Sequence, residues 1–492
     1  MNKEINQLIQ FGLKNHMIQE EDKYYSVNLL LDLLHLDSFE DMDVEEASLY
    51  DILDNMLAYA VEHNLVDDDT TSKDLFDTRI MNCIMPRPSE VVKTFNELYK
   101  EDPVKATDYY YNLSINSNYI RKSRTDKNIL FNHYHKYGEI QISINLSKPE
   151  KDPKEIAKAK LVKSSGYPKC LLCKENVGFA GHQNHAARQT HRIIPLVLNN
   201  TAYNLQYSPY VYYNEHCIIF NDGHVPMQVD KNTFKNLFGF IKQFPHYMLG
   251  SNADLPIVGG SILTHDHYQG GKHHFPIEDA EVIKEMTIKG YNVKAELLNW
   301  PLTTLRLTGE DENEMIELCD HVLQKWIHYS DESLDIIAFT NDERHNTITP
   351  ISRMKDGKYQ IDLVLRNNRT NEQYPDGIFH PHKEHHHIKK ENIGLIEVMG
   401  LAILPARLKT EMNDLKACLL GQTHIDEVES LAKHKEWFET LKQLDINEDN
   451  VQEVIEKEIT KKFVAVLENA GVYKMDEAGI AGFTRFVESL SE

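Results

Sequence analysis

The sequence is poor in cysteine and in basic residues, and it contains no long apolar run. Six cysteines in 492 residues are too few for a disulfide scaffold. No stretch approaches the run of about 20 apolar residues that a membrane helix needs. Lysine and arginine number 53 against 76 aspartates and glutamates, so the formal net charge is −23. This deficit argues against a protein that binds nucleic-acid backbones or anionic membranes, since both require a basic patch.

The composition is that of a folded protein, and histidine is unusually frequent in it. Hydrophobic residues make up 41% and charged residues 26%, which is typical of globular rather than disordered chains. The first residues lack the charged and apolar layout of a signal peptide, so we expect a cytoplasmic protein. The 25 histidines cluster, which singles out those clusters as candidate functional sites.

Hydrophobic periodicity divides the chain into a helical start, a strand-rich middle and a helical end. Apolar residues recur at helical spacing before about residue 130 and again after about residue 391, while apolar and polar residues alternate between them. We therefore expect an α+β protein with four regions. They are a helical region at 1–130, a strand-rich unit with the cysteine pair and the main histidine motif at 131–290, a second strand-rich unit at 291–410, and a helical tail at 411–492. The Lys-, Pro- and Glu-rich segment 148–163 predicts a surface connection.

The most informative segment runs from Gly259 to His274 and has the sequence Gly-Gly-Ser-Ile-Leu-Thr-His-Asp-His-Tyr-Gln-Gly-Gly-Lys-His-His. On a strand, His265, His267 and Gln269 point to one face. The flanking glycines leave backbone N–H groups available to an anion. A neutral imidazole can attack phosphorus and form a covalent N–P intermediate, with the glutamine amide donating to the phosphoryl oxygens. The segment therefore predicts a phosphoryl-transfer site, and the alternative is a polar or metal-binding strand.

The sequence His265-Asp-His267-Tyr-Gln269 resembles the His-x-His-x-Gln motif of the galactose-1-phosphate uridylyltransferases, a branch of the histidine-triad superfamily. The resemblance covers most of the chain and is closest to the second class of that family, found in Gram-positive bacteria. Further similar stretches are 76–80, 86–91, 207–217, 299–304, 345–350 and 389–400.

The resemblance implies a two-step reaction on a nucleotide sugar and a hexose 1-phosphate. A uridylyl group passes from UDP-glucose to the enzyme, releasing glucose 1-phosphate, and then to galactose 1-phosphate, giving UDP-galactose. The nucleophile would be His267, and Gln269 would hydrogen-bond the transferred phosphoryl group. Gly260 and Ser261 lie where the family's phosphate-contacting backbone runs. The resemblance also implies two histidine-triad-like units of antiparallel sheet with packed helices, and a homodimer.

Other polar side chains near the motif are candidate substrate contacts. Asn184, Arg188 and Gln189 follow the cysteine pair, and an arginine fork matches phosphate oxygens. Lys272 has the charge to neutralise a phosphate, although a solvated loop lysine accounts for it equally well.

A second His-x-His sequence, His380-Pro-His382, is followed by three more histidines at 385–387. It matches the His-Pro-His spelling of the first class of the family. It lacks the flanking glycines, and Glu384 stands where the glutamine would be. We rank it below His267 as the nucleophile and interpret it first as a polar loop; lining the sugar site or holding a metal are the alternatives.

Cys170-Leu-Leu-Cys173 has the spacing for two thiolates on one tetrahedral zinc ion. Two different pairs of histidines could complete the zinc site. The local set is His185 with His191, which gives a spacing close to that of a zinc finger. Two reduced cysteines in a turn without a metal are the third possibility.

The distant partner set comes from the resemblance. The first class of the family binds zinc with two cysteines, a downstream histidine and the first histidine of the catalytic motif. On this chain those ligands are Cys170, Cys173, His224 and His265. We favour this set because it ties the catalytic strand to the cysteine loop, and we expect a structural metal because four protein ligands leave no open position.

Two other functions compete with the uridylyltransferase. A dinucleotide phosphorylase or hydrolase of the same superfamily would share the nucleophile and pass the nucleotide to phosphate or water. A zinc-dependent binding protein would be built on the cysteine pair and the local histidines, and it would not need a glycine-bounded His-x-His-x-Gln.

Overall fold

The computed structural model describes residues 1–147, 166–260 and 262–492, so the segment 148–163 predicted as a surface connection lies outside the described residues. The N-terminal part is helical, as predicted. Three of its helices begin at side-chain caps, because Ser48 Oγ accepts from the Asp51 amide, and carboxylate oxygens of Asp69 and Asp102 accept from the Ser72 and Val104 amides. The helices are α1 (Asn2–Lys14), α2 (Lys23–Leu34), α3 (Leu49–Glu62), α4 (Thr70–Asn82), α5 (Pro88–Glu101), α6 (Pro103–Asn116) and α7 (Lys122–Thr125).

The middle of the chain is rich in antiparallel strands, and most of them join a ten-stranded sheet. The strands in chain order are β1 (Ile129–His135), β2 (Gly138–Asn145), β3 (Ile194–Leu198), β4 (Thr201–Tyr207), β5 (Cys217–Asn221), β6 (Met248–Gly250), β7 (His267–Gly271), β8 (Val282–Met286), β9 (Lys294–Leu298), β10 (Thr304–Gly309), β11 (Phe339–Thr340), β12 (Glu343–Arg344), β13 (Asn346–Lys355), β14 (Lys358–Asn367) and β15 (Leu401–Pro405). Later helices are α8 (Lys231–Gln243), α9 (Glu312–His328), α10 (Leu395–Val398), α11 (Arg407–Leu419), α12 (Lys435–Leu441), α13 (Val451–Ala470) and α14 (Glu477–Glu488). The α+β class is confirmed.

The ten-stranded sheet consists of two halves with the same topology. Its order is β3-β4-β5-β7-β6-β13-β14-β10-β9-β8. Each half begins with three antiparallel strands, followed along the chain by one helix and then by two more strands. The last of these strands pairs with the third, so β7 lies beside β5 in the first half and β14 lies beside β10 in the second. The halves meet where β6 pairs antiparallel with β13, with Gly250 opposite Ile351 and Leu249 opposite Ser352. Two units of one topology thus form one continuous sheet.

The two faces of this sheet are covered by different parts of the chain. The N-terminal helices, α8, α9 and α14 pack on one face, and the segment 388–470 packs on the other. In β14, Leu363 and Leu365 belong to the first core, and Val364 belongs to the second. Successive side chains point to opposite faces, so a nearly continuous apolar run is what a strand buried on both sides needs.

A smaller sheet of β1, β2 and β15 lies on the second face. β15 runs parallel to β2, with Leu401 opposite Gln141. In β2, Ile140, Ile142 and Ile144 alternate with Gln141, Ser143 and Asn145, the period-two pattern of a strand. Its partner β15 comes from far along the chain. The division of the chain into four regions that begin at residues 1, 131, 291 and 411 stays a prediction. None of the helices that the structure describes is long and apolar enough to cross a membrane.

Candidate active site and metal group

The histidine motif lines a cleft of about 980 Å³ on the second face of the sheet. Its floor is formed by β5 and β7, which are neighbours in the sheet with Ile218 opposite Gln269. Its opposite wall comes from residues 389–406. The polar lining residues include Asn145, Ser208, Tyr210, Tyr212, His216, Asn252, His267, Gln269, Lys389, Glu391, Asn392 and Glu397.

His267 is held in one tautomer at the start of β7. It is only 6% exposed, and its Nδ1 lies 2.8 Å from the His265 carbonyl oxygen. A carbonyl only accepts, so Nδ1 carries the proton and Nε2 keeps its lone pair. The pKa of His267 is lowered to about 4, chiefly by burial; the hydrogen bond to the His265 carbonyl opposes this shift and the charge of the His265 ring adds to it, so the ring is neutral at pH 7. A neutral imidazole with a fixed, unprotonated Nε2 is the form that attacks phosphorus.

Gln269 is oriented by a histidine that the spacing of the motif did not identify. His216 Nε2 lies 3.0 Å from Gln269 Oε1, and burial lowers the pKa of His216 to about 4. The neutral ring donates through Nε2, so the Gln269 carbonyl oxygen faces His216 and its NH₂ group is left to donate elsewhere. His216 lay in the similar stretch 207–217, but no local spacing marked it, because its contact depends on strand register.

The glycines before the motif permit close backbone approach. A Cβ on Gly260 would lie 2.7 Å from Asn252 Nδ2, and a Cβ on Gly259 would lie 2.5 Å from the Ala253 carbonyl oxygen. No side chain fits at either position without displacing these atoms. Gly259 and Gly260 both line the cleft, while Ser261 lies outside the described residues.

His265 is oriented differently from the expectation that it would share one face with His267 and Gln269. β7 begins at His267, and the His265 ring contacts the cysteine pair rather than the cleft. Two hydrogen bonds to the turn after β5 account for this orientation. His265 Nε2 lies 2.8 Å from the Asn221 carbonyl oxygen, and the Asp266 amide donates to the Val225 carbonyl. These bonds rotate the backbone away from regular strand geometry.

Cys170, Cys173, His224 and His265 form a possible metal-binding group. Cys170 Sγ lies 3.6 Å from Cys173 Sγ and 3.2 Å from His265 Nδ1, and Cys173 Sγ lies 3.3 Å from His224 Nδ1. Ligand atoms around a tetrahedral zinc ion are separated by about 3.3–3.8 Å, as its bond lengths require. The hydrogen bond from His265 Nε2 to a carbonyl oxygen leaves Nδ1 unprotonated and facing the sulfurs. Histidines that bind zinc are typically oriented in this way, with the other ring nitrogen donating to a carbonyl or carboxylate oxygen. The geometry therefore fits zinc.

The local histidines are placed elsewhere. His191 is buried and stacks on Tyr119 with ring centres 5.0 Å apart, and His185 Nδ1 lies 2.9 Å from the Ala186 carbonyl oxygen. Among the described residues, the set of Cys170, Cys173, His224 and His265 is the only group in which three or more possible metal ligands lie together.

The other predicted contacts lie outside the cleft. Asn184 and Arg188 line a neighbouring cavity that shares Tyr210 with the cleft, and Gln189 adjoins Arg188 in sequence. Lys272 is exposed, and its carbonyl accepts from Asn214 Nδ2.

The histidines of residues 380–387 make separate polar contacts. His380 Nε2 lies 3.0 Å from Oδ1 of Asn392, a residue of the cleft wall. His382 stacks on Tyr374 with ring centres 4.2 Å apart. His387 Nδ1 lies 2.8 Å from His434 Nδ1. The interpretation of this segment as a polar loop stays a prediction.

Comparison with known proteins gives matches along the whole chain. The model of the galactose-1-phosphate uridyl transferase N-terminal domain matches residues 16–226, and that of the C-terminal domain matches residues 240–439. The chain is 53% identical to the galactose-1-phosphate uridylyltransferase of Clostridium acetobutylicum, with 100% of each chain covered. It is 50% identical to the protein of that name from Caldanaerobacter subterraneus, over 99% of this chain and 97% of the relative. For the Clostridium perfringens relative, the identity is 49% over 100% and 99%.

Proposed function

The chain belongs to the galactose-1-phosphate uridylyltransferase family and is a transferase of galactose metabolism, and on that premise we propose that it transfers a uridylyl group from UDP-glucose to galactose 1-phosphate through a covalent uridylyl-His267 intermediate. One observation supports this most directly. The His267 Nδ1 contact with a carbonyl leaves Nε2 unprotonated in a neutral ring that lines the cleft.

In the first step, His267 Nε2 attacks the α-phosphorus of UDP-glucose. The new P–N bond forms as the bond from phosphorus to the bridging oxygen breaks, and glucose 1-phosphate leaves with that electron pair. No general acid is needed, because a phosphate leaving group has a low pKa. The imidazole gains positive charge, which the His265 carbonyl stabilises through the Nδ1 hydrogen bond.

In the second step, a phosphate oxygen of galactose 1-phosphate attacks the same phosphorus, and the P–N bond breaks to regenerate neutral His267. The Gln269 NH₂ group, oriented by His216, donates to a non-bridging oxygen in both steps. Backbone N–H groups at Gly260 and Ser261 would supply further donors. As substrate contacts, Asn184, Arg188, Gln189 and Lys272 stay predictions, since none is among the described residues lining the cleft.

We propose zinc as the ion for Cys170, Cys173, His224 and His265. Held by four protein ligands, it would be structural: when bound, it would fix the cysteine loop, the turn after β5 and the residues just before β7. The family resemblance further supports a cytoplasmic homodimer as the working form.

The test is to trap the intermediate. Incubation with UDP-glucose and no acceptor is expected to add the mass of one uridylyl group to the peptide containing His267, as measured by mass spectrometry. His267→Gly should carry no adduct. His273→Gln should still carry one, because His273 contacts Gln141 on another strand. An adduct that persists in His267→Gly would show that another group is the nucleophile.

The choice of acceptor separates this proposal from a dinucleotide phosphorylase or hydrolase. The trapped protein is divided among galactose 1-phosphate, inorganic phosphate and buffer alone. Release of UDP-galactose at a rate well above the other two releases is the expected result. Faster release by phosphate or by water would favour the alternative enzyme.

A further inference from the structure

A second, smaller cavity lies between the N-terminal helices and the segment that follows the cysteine pair. Its volume is about 240 Å³, against about 980 Å³ for the cleft. Its walls come from α4, residues 118–125 and residues 182–190, and Tyr210 lines both this cavity and the cleft. This volume is below the usual range for drug-sized ligands, so the cavity suits a small molecule rather than a whole nucleotide sugar.

Three arginines line this cavity, and two of them are neutralised. Arg124 forms a two-pronged ion pair with Asp74, with nitrogen–oxygen distances of 2.7 and 2.6 Å. Arg121 is paired with the buried Asp77. The third is Arg188, so the wall carries about one uncompensated positive charge.

Arg188 is buried, and among the described residues no acidic group pairs with its charge. The residue is 8% exposed, and its guanidinium carbon lies 5.5 Å from the centre of the Tyr119 ring. In the part of the chain that the structure describes, its guanidinium has neither a hydrogen bond nor a carboxylate partner. Burying an uncompensated charge is costly, which makes an anion in the cavity the natural counterpart.

Neighbouring groups also indicate an electropositive and incompletely satisfied site. Burial, and after it the charge of Arg188, lowers the pKa of His191, and the same charge contributes to the lowered pKa of His185. The Thr125 hydroxyl on the same wall is buried and has no hydrogen-bond partner among the described residues. A hydroxyl and a guanidinium are both donors, so together they favour an oxyanion.

We propose that this cavity binds a small phosphate anion, either inorganic phosphate or a phosphate monoester, with the Arg188 guanidinium and the Thr125 hydroxyl as its donors. The site is separate from the catalytic cleft, and its occupation would hold the N-terminal helices against the segment after the cysteines. It assigns Arg188 to phosphate, as the sequence suggested, but at a second site. The assignment does not depend on the uridylyl transfer proposed above.

The test is a local measurement on the full chain. Hydrogen–deuterium exchange is followed in peptides from 118–125 and 182–190 while inorganic phosphate or glucose 1-phosphate is added at constant ionic strength. Peptides from 259–271 report the cleft separately. Slower exchange in the first two segments is expected. The anion that protects at the lower concentration identifies the source of the phosphate group.

Arg188→Gln removes the charge and Arg188→Lys keeps it without the planar fork. The loss of charge-assisted hydrogen bonds is expected to raise the half-saturating phosphate concentration about 10- to 100-fold in Arg188→Gln, with Arg188→Lys in between. Arg79→Gln is the matched control, because Arg79 lies on the exposed face of α4. It should behave as the wild type.

Protection is compared with and without anion within each variant, so a change in basal stability does not imitate a loss of binding. If Arg188→Gln does not fold, Arg188→Lys carries the comparison. The proposal is overturned if neither anion protects these segments in the wild type, or if the Arg188 variants are protected as strongly as the Arg79→Gln control.

Discussion

At the scale of single residues, the chemistry rests on hydrogen bonds that fix which nitrogen or oxygen faces the cleft. The His265 carbonyl sets the tautomer of His267, and the His216 ring sets the direction of the Gln269 amide. Neither orienting group needs to touch substrate. They act by removing alternative states of the residues that we propose to react, which is preorganisation at the level of individual atoms.

His216→Phe tests the positioning of Gln269. The phenyl ring keeps the packing against Tyr213, whose ring centre lies 4.5 Å away, but cannot donate to Gln269 Oε1. The loss of one neutral hydrogen bond is expected to lower kcat about 5- to 15-fold, with KM for UDP-glucose nearly unchanged. Steady-state kinetics separate the two constants. His216→Asn retains a donor and should recover part of kcat; an unaltered kcat in His216→Phe would exclude the positioning role.

How far the site was predictable depends on whether a residue is fixed locally. His267, Gln269 and the glycines lie within one short segment, so spacing alone placed them together. The resemblance supplied the distant metal set, which local spacing would have replaced with His185 and His191. The orientation of His216 was not predictable, because it follows from the pairing of β5 with β7. Nor was the turn of His265 away from the strand face, which depends on a side-chain hydrogen bond to the Asn221 carbonyl and a backbone hydrogen bond to the Val225 carbonyl.

At the scale of elements, the possible metal group joins the cysteine loop to two segments that are already hydrogen-bonded to each other. Cys170 and Cys173 come from a loop, His224 from the turn after β5, and His265 from the approach to β7. Because the His265 carbonyl also bonds His267, an ion here would steady the proposed nucleophile through the backbone.

Metal analysis of purified protein is expected to find about one zinc per chain, the stoichiometry of a four-ligand site. Cys173→Ser should lose most of it and melt at a lower temperature, since metal binding adds to folding free energy. Cys83→Ser is the control, because Cys83 follows α4 and is not a member of the metal-binding group. Full zinc occupancy in Cys173→Ser, or none in the wild type, would contradict the assignment.

At the scale of the whole molecule, the histidines that are buried uncharged couple folding to pH. Burial lowers the pKa of His216 and His267 to about 4 and that of His387 to about 3, where His434 and Lys462 add to the effect. The unfolded value is about 6.5. Between these values the unfolded chain binds more protons than the folded one, so the free energy of unfolding falls as pH drops from about 6.5 toward 4.

His387→Gln is expected to make that fall shallower, because one of the contributing groups is removed. The measurement is denaturant unfolding at pH values between 7 and 4, with the free energy of unfolding plotted against pH. His424→Gln should reproduce the wild-type slope, since the His424 side chain is 69% exposed. Parallel curves for all three proteins would show that His387 does not carry this coupling.

Periodicity predicted the class of the whole molecule, while the expectation of two like units came from the family resemblance alone. In the sequence, no repeat is found between the two strand-rich units, yet the strand orders of the two halves are the same. The order of the strands in a sheet depends on the pattern of apolar residues and turns rather than on the identity of each residue. The topology can therefore be the same in two units whose sequences are no longer similar. The pairing of β2 with β15 joins residues more than 250 positions apart, a range at which periodicity carries no information.

The seam between β6 and β13 has a historical meaning. Equivalent strands of two like units pair there antiparallel, with Gly250 opposite Ile351 and Leu249 opposite Ser352, which is the self-complementary edge contact that a twofold homodimer makes. The chain has the form left by duplication and fusion of a gene for one such unit. The His-x-His-x-Gln sequence lies in the first unit, and β14, the strand of the second unit that corresponds to β7, does not carry it. On this view an ancestral homodimer would have placed two copies of one unit about the same seam.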